Sequence, residues 1–154
     1  VKNLRDPAAE SPLTGDARNG SAIFWSKAGC GNCHSVAGEG GKLGPDLSNI
    51  GAVRSIPALR EAIVDPDADG FQTYRPTTVT LANGKQVRGV LRNFTNYSLQ
   101  IQDKDGALSL LDVRDIKDWA RGDSSPMPKD YGKRLSKAEI NDLIAYLGRL
   151  TTRK

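Results

Sequence analysis

The sequence is poor in the residues that metal and nucleophile chemistry draw on most. In 154 positions it has one histidine, two cysteines and one methionine. A structural zinc site nearly always takes four Cys or His ligands, and this chain offers three at most. No apolar run approaches the ~18 residues that a membrane-spanning helix needs. Lysine and arginine are scattered, with no run of five or six, and the formal net charge is +4 with a pI of about 9.2. That balance favours acidic partner surfaces but lacks the dense basic patterning of a nucleic-acid binder. Aromatic residues make up 6% and hydrophobic residues 38%. This is lean for a core of such a chain, so a cofactor is expected to supply part of the apolar interior. The first residue is Val1 rather than methionine. A secreted protein freed of its signal peptide would begin this way, and so would a trimmed chain.

The scarce residues are concentrated. Both cysteines and the histidine fall in "CGNCH", Cys30 to His34. Zinc is disfavoured by ligand count, and by the adjacency of Cys33 and His34. A thioredoxin-type dithiol follows a strand in a βαβ unit, whereas the segment before Cys30 has a helical pattern. Covalent attachment of c-type haem fits better: two thiols three positions apart reach the two vinyl groups, and the next residue brings an imidazole to the iron.

Two further stretches belong with this reading. Met127, the single methionine, lies in "SSPMPKDYG", framed by Pro126 and Pro128. The prolines stiffen a loop that would hold the thioether at a fixed distance. A methionine used as a gap-filler would instead sit on an amphipathic stripe. In "LGPDL" (43–47), the rigid carbonyl of Pro45 is a candidate acceptor for the second ring nitrogen of an iron-bound histidine. Taken alone, Gly44-Pro45 reads as an ordinary turn.

Between these signals the pattern is helix, sheet, helix. Residues 1–13 are polar and read as an extended arm. A helix is expected from Thr14 or Asp16, with Ala17, Gly20, Phe24 and Ala28 on one face. Residues 35–54 read as glycine-rich loop. A short helix at about 57–64 carries Pro57 in its first turn and stops at Pro66. The last helix has a capping box at Ser136 and Glu139, a staple of Leu135 with Ile140, and a stripe of Ile140, Leu143, Ile144, Leu147 and Leu150. From Val79 to Trp119 the apolar residues alternate instead. Val79 and Leu81, then Val87 and Leu91, Leu99 and Ile101, and Leu108, Leu110 and Val113 predict four or five short strands, with turns at Asn83-Gly84, 93–96 and "DKDG". Ile116 and Trp119 follow, and Trp119 reads either as core of this sheet or as a seal against the Met127 loop.

With "CGNCH", "LGPDL", "SPMP" and a terminal helix carrying "AYL" in this order, the chain resembles the class I c-type cytochromes over about 14–66 and 120–150. The resemblance implies a mainly α, cytochrome c-like helical fold around one haem c, attached through two thioethers to Cys30 and Cys33. His34 and Met127 would ligate the iron, and Pro45 would support His34. It also implies close crossing of the first and last helices, with Gly20 permitting the approach and Phe24 near Tyr146. The domains would be an arm (1–13), a haem domain (14–70 and 120–154) and an inserted small antiparallel β sheet or barrel (71–119). The insert departs from compact cytochromes c and is similar to inserts in haem-binding modules of bacterial dehydrogenases.

The function so implied is that of an electron carrier and not an enzyme: one-electron transfer between a periplasmic dehydrogenase or other donor and a respiratory acceptor. The implied location is periplasmic or extracytoplasmic. Trp25, Leu47, Ile50 and Leu59 are candidate apolar walls, each also explained as plain core. Lys27, Lys42, Lys129, Lys133 and Arg134 are candidates to ring a docking edge and steer a redox partner protein. Three rivals stand beside this: a haem sensor or enzyme with a displaceable Met127, a haem-domain fragment of a larger quinoprotein-type dehydrogenase, and an interaction module built on the insert. Lys85, Arg88, Arg92 and Arg114 hint at nucleic acid, but Asp103, Asp105, Asp112 and Asp115 dilute their field, so no nucleic-acid partner is expected.

Overall fold

The structure is a computed structural model and describes residues 13–68 and 74–152. The polar arm expected at 1–13 lies outside the described residues, apart from Leu13. The helical part begins with α1 (Ala17–Trp25), capped by the Asp16 carboxylate, which accepts from the amides of Arg18 and Asn19. Asp16 rather than Thr14 is therefore the cap. Two short helices follow, α2 (Ile50–Val53) and α3 (Ile56–Val64). Ser55 caps α3 through the Ala58 amide, and the helix ends before Pro66. After the sheet come α4 (Tyr131–Arg134) and α5 (Lys137–Leu147). The capping box of α5 is present in both directions, Glu139 N–H to Ser136 Oγ at 3.1 Å and Ser136 N–H to Glu139 Oε2 at 2.8 Å.

Helices α1 and α5 cross at close range. A Cβ on Gly20 would collide with the Asp142 carbonyl, so only a bare Cα allows this approach. Asp142 also holds the start of α1, accepting from the Asp16 amide and the Asn19 side chain, each at 2.7 Å. Phe24 meets Tyr146 edge-on at 5.5 Å between centroids. This geometry suits the ring quadrupoles and fully buries Phe24. Ile23, Phe24, Leu59, Leu143, Ile144 and Leu147 share one core with residues of α4, against which Cys30 and Met127 also pack.

Residues 35–54 are more ordered than their glycine content suggests. They contain a two-stranded hairpin of β1 (Ser35–Val36) and β2 (Glu39–Gly40), and also α2. Both turn residues, Ala37 and Gly38, have positive φ, the backbone hand that closes a two-residue hairpin.

The inserted sheet has five antiparallel strands: β3 (Pro76–Leu81), β4 (Gln86–Phe94), β5 (Ser98–Gln102), β6 (Leu108–Asp112) and β7 (Ile116–Arg121). Their spatial order is β6-β5-β4-β3-β7. The first four form a meander. A 3₁₀ turn at Val113–Asp115 then carries the chain to the opposite edge, where β7 pairs with β3. Val79, Leu91, Leu99 and Ile101 form a second core, separate from the helical one, with Leu81, Val87, Leu111 and Ile116 packed around it.

The expected phase of β6 needs correction. Leu111 faces this core, while Leu108 and Leu110 are exposed. The register explains it: Leu99 pairs with Leu111 and Ile101 with Ser109, and directly opposed residues share a face. Trp119 is neither sheet core nor a buried seal. It stands on the surface beside Phe94, 6.5 Å between rings.

Among the described residues, 33% are helical and 27% are in strands. The expectation of a mainly α chain therefore describes the segments flanking the sheet and not the whole. No helix among the described residues is long and apolar enough to cross a membrane. The two ends of the sheet are tied together: Gly122 N–H donates to the Pro76 carbonyl at 2.7 Å, and Arg75 reaches the Gly122 carbonyl and the Asp123 carboxylate.

Candidate functional site

The "CGNCH" stretch follows α1 after residues 26–29 and forms a 3₁₀ turn over Cys30–Asn32. The Cys30 carbonyl accepts from the amides of Cys33 (3.2 Å) and His34 (2.9 Å), so both thiols and the imidazole leave one tight turn. The thiols are free and half-buried. Burial pushes the Cys30 thiol up to about 11, and the Tyr131 hydroxyl beside it opposes that rise. Tyr131 is itself buried and donates to the Ala28 carbonyl at 2.8 Å, fixing α4 beneath the turn.

A second loop wraps this turn. Gly41 N–H donates to the Gly31 carbonyl, Gly44 N–H to the Cys33 carbonyl, and Leu47 N–H to the Ser35 carbonyl, each at 2.8 Å. The loop delivers the Pro45 carbonyl to His34 Nδ1 at 2.9 Å. The carbonyl can only accept, so Nδ1 carries the hydrogen and Nε2 keeps its lone pair. Burial lowers the His34 pKa below its usual 6.5, with the Pro45 carbonyl opposing. The neutral ring with a free Nε2 is the form that binds a metal.

Met127 is half-buried, in the loop between β7 and α4. Its amide donates to Ser125 Oγ at 3.2 Å. Asp67, just past α3, accepts from the Ser125 amide at 2.7 Å and pairs with Lys129. The Met127 loop is thus strapped on both sides of the methionine. Among the candidate walls, Leu47, Ile50 and Leu59 belong to or pack against the helical core. Trp25 is 43% exposed and lies over Gly31, edge-on to Phe24.

The candidate docking cations are unequal. Lys27 is paired with Glu139 at 2.6 Å, Lys129 with Asp67, and Arg134 with Asp130 at 3.7 Å. Lys42 and Lys133 make no ion pair among the described residues. The basic residues of the insert are largely occupied as well: Arg114 is clamped by Asp112, Arg88 binds Gln86, and Arg92 turns inward to the loop at Lys42 and Leu43. Arg92 thus faces the His34 side of the molecule, where the sequence pattern had grouped it with a basic surface of the insert. Its only sequence signal was a basic residue on a predicted strand.

A donor set of this kind fits covalent haem. Two unpaired thiols flank a short turn, the adjacent histidine is oriented through Nδ1, and its ring lies flush over Gly44, where a Cβ would come within 2.8 Å. Among the described residues, no group of three or more His, Cys, Asp or Glu side chains is placed to hold an ion by itself. The arrangement is similar to that of c-type cytochromes. Residues 17–91, just under half of the chain, match the family model described as Cytochrome c. The match, with the Cys30, Cys33 and His34 motif inside it, supports a cytochrome c domain, a covalently attached c-type haem and a haem-binding electron-transfer role. The matched region ends inside β4 and does not reach Met127 or α5. A comparison with curated proteins gives no match.

Proposed function

We propose that this protein is a monohaem electron carrier whose iron is held between His34 and Met127, with Cys30 and Cys33 as the thioether anchors. The observation that carries the reading is the 2.9 Å bond from His34 Nδ1 to the Pro45 carbonyl, which leaves Nε2 as the one ring atom for iron. The haem supplies a one-electron ferric/ferrous couple. The chain's residues set where that couple rests. The Pro45 carbonyl makes the imidazole a stronger donor, which favours ferric iron. A Met127 thioether favours ferrous iron and raises the potential relative to a second histidine. The strap of Asp67, Ser125 and Lys129 would hold the thioether in place, and Leu47, Ile50 and Leu59 would keep water from the couple.

The division proposed is a haem domain of 14–70 and 120–154 with an insert of 71–119. The separate core of the sheet and the tie between Arg75 and Gly122 favour it. The donor would be a periplasmic dehydrogenase or similar protein and the acceptor a respiratory one, in an extracytoplasmic compartment where haem attachment takes place.

The test is the oxidised spectrum of the holoprotein with and without Met127→Ala. A weak red charge-transfer band reports an iron–thioether bond. It is expected in the wild type and lost in the variant. A wild type without that band, which binds external ligands such as imidazole readily, would overturn Met127 ligation and favour a sensor or enzyme with an open site.

A further inference from the structure

Arg92 lies in the inserted sheet, 50 residues from the loop it touches. It is the extra residue at a register shift in β4: Leu91 pairs with Ile101 and Asn93 with Gln100, leaving Arg92 without a cross-strand partner. A bulge of this kind re-aims a side chain out of the alternation of its strand. The guanidinium points at the haem-side loop. Its Nη2 donates to the Lys42 carbonyl at 2.8 Å and reaches the Leu43 carbonyl at 3.4 Å. Its Nε donates to Gln102 Oε1 at 2.7 Å, and Gln102 is in turn held by the Gly106 carbonyl at 3.0 Å. Tyr74 lies under the guanidinium at 5.0 Å. The fork is therefore fixed on three sides.

The loop that Arg92 grips is the one supporting His34. Two residues beyond Leu43 is Pro45, the acceptor of His34 Nδ1–H. Between them, the Gly44 amide binds the Cys33 carbonyl. Segment 42–45 is thus held from inside by the haem-attachment turn and from outside by Arg92. The geometry points to Arg92 as a positioning residue for the proximal histidine, and to the β insert as the clasp that holds the His34-supporting loop in register. A lysine would not replace it, because its three donors radiate from one nitrogen, whereas the planar guanidinium holds Gln102 from Nε and the two carbonyls from Nη2. The inference rests on His34 being the proximal ligand.

The test compares holoprotein Arg92→Lys, Arg92→Ala and Gln102→Ala with wild type. Hydrogen exchange is followed at the Gly44 amide and at His34 Nδ1–H, together with the midpoint potential. Loss of a charge-assisted grip is expected to speed exchange at both sites by roughly tenfold or more in both Arg92 variants. A weaker bond to Pro45 makes the imidazole a poorer donor, so the potential should rise in Arg92→Lys, which keeps the charge. Gln102→Ala, which frees one side of the fork, should move both readouts the same way by less. Arg92→Lys with wild-type exchange and potential would overturn the proposal and leave a purely electrostatic role. A fall in thermal stability with both readouts unchanged would also overturn it, as would slower exchange. Should Arg92→Ala fail to fold, Arg92→Lys and Gln102→Ala carry the test alone. A wild-type spectrum lacking histidine coordination would instead sink the ligand assignment, and the Gly44 amide still reports on the clasp.

Discussion

Gly44 lies so close beneath His34 that a Cβ on it would stand 2.8 Å from both Nδ1 and Cε1 of the ring. The ring is seated by contact with bare backbone as well as by its bond to Pro45. Gly44→Ala must therefore push the imidazole or lift the loop. Overpacking of this kind costs on the order of 1–3 kcal/mol. Denaturant unfolding of the holoprotein should show a loss in that range, and the His34 Nδ1–H signal should shift or broaden. An alanine variant with wild-type stability and an unmoved ring signal would mean that the loop yields freely, and that Gly44 has no part in seating the histidine.

The candidate attachment motif stands out in the sequence because its chemistry is rare: two cysteines and one histidine in five positions. The caps of α5 and the turn at Asn83-Gly84 were legible because each is a local signal, complete within four residues. The β1–β2 hairpin was not, since its turn places Ala37 at positive φ, and alanine carries no turn signal. The phase of β6 was lost for a related reason. Leu110 and Leu111 are adjacent, and only pairing with β5 decides which one faces inward. Arg92 was least legible of all. Its target lies 50 positions away, and its direction depends on a bulge that no residue type announces.

Asp67 governs the opposite loop. Lys129 and then the Ser125 amide hold its carboxylate below the usual 3.8. A carboxylate lowered in the folded state adds its full contribution above the unfolded value, and loses it as pH falls through the lower folded one. The strap should thus be intact at neutral pH and loosen only in strong acid, below about 3.8. Asp67→Asn removes the charge at every pH. Under the proposed Met127 ligation, it should bind added imidazole at pH 7 more tightly than wild type, because a looser loop would surrender the thioether more easily. Equal imidazole affinity in the two proteins would remove the strap from the account of Met127.

Tyr131 links the attachment turn to the helical core. Its hydroxyl donates to the Ala28 carbonyl at 2.8 Å in a buried setting, and burial raises its own pKa to about 12. Tyr131→Phe keeps the ring packing and orphans that carbonyl. Leaving a buried acceptor unpaired costs about 1–3 kcal/mol. The unfolding free energy should drop by that amount while the red band expected of the proposed Met127 ligation stays unchanged. A change in the band would show that α4 controls the Met127 loop as well as the cysteine turn.

Steering of the redox partner should fall to the cations not already neutralised. Lys27 and Lys129 are bound to Glu139 and Asp67, whereas Lys42 and Lys133 are exposed and make no ion pair among the described residues. Replacing these two by glutamine removes charge without breaking an ion pair among the described residues, so an effect on rate is not confounded by the loss of one. Exposed charges act over a screening length of about 10 Å at 0.1 M salt. Electron-transfer rates with an acidic partner protein should therefore fall as salt rises in the wild type. In the Lys42→Gln, Lys133→Gln protein the rate at low salt should be lower and its salt dependence shallower, with both proteins converging at high salt. A wild-type rate that is flat across ionic strength would mean that docking on this protein is governed by apolar contact instead of charge.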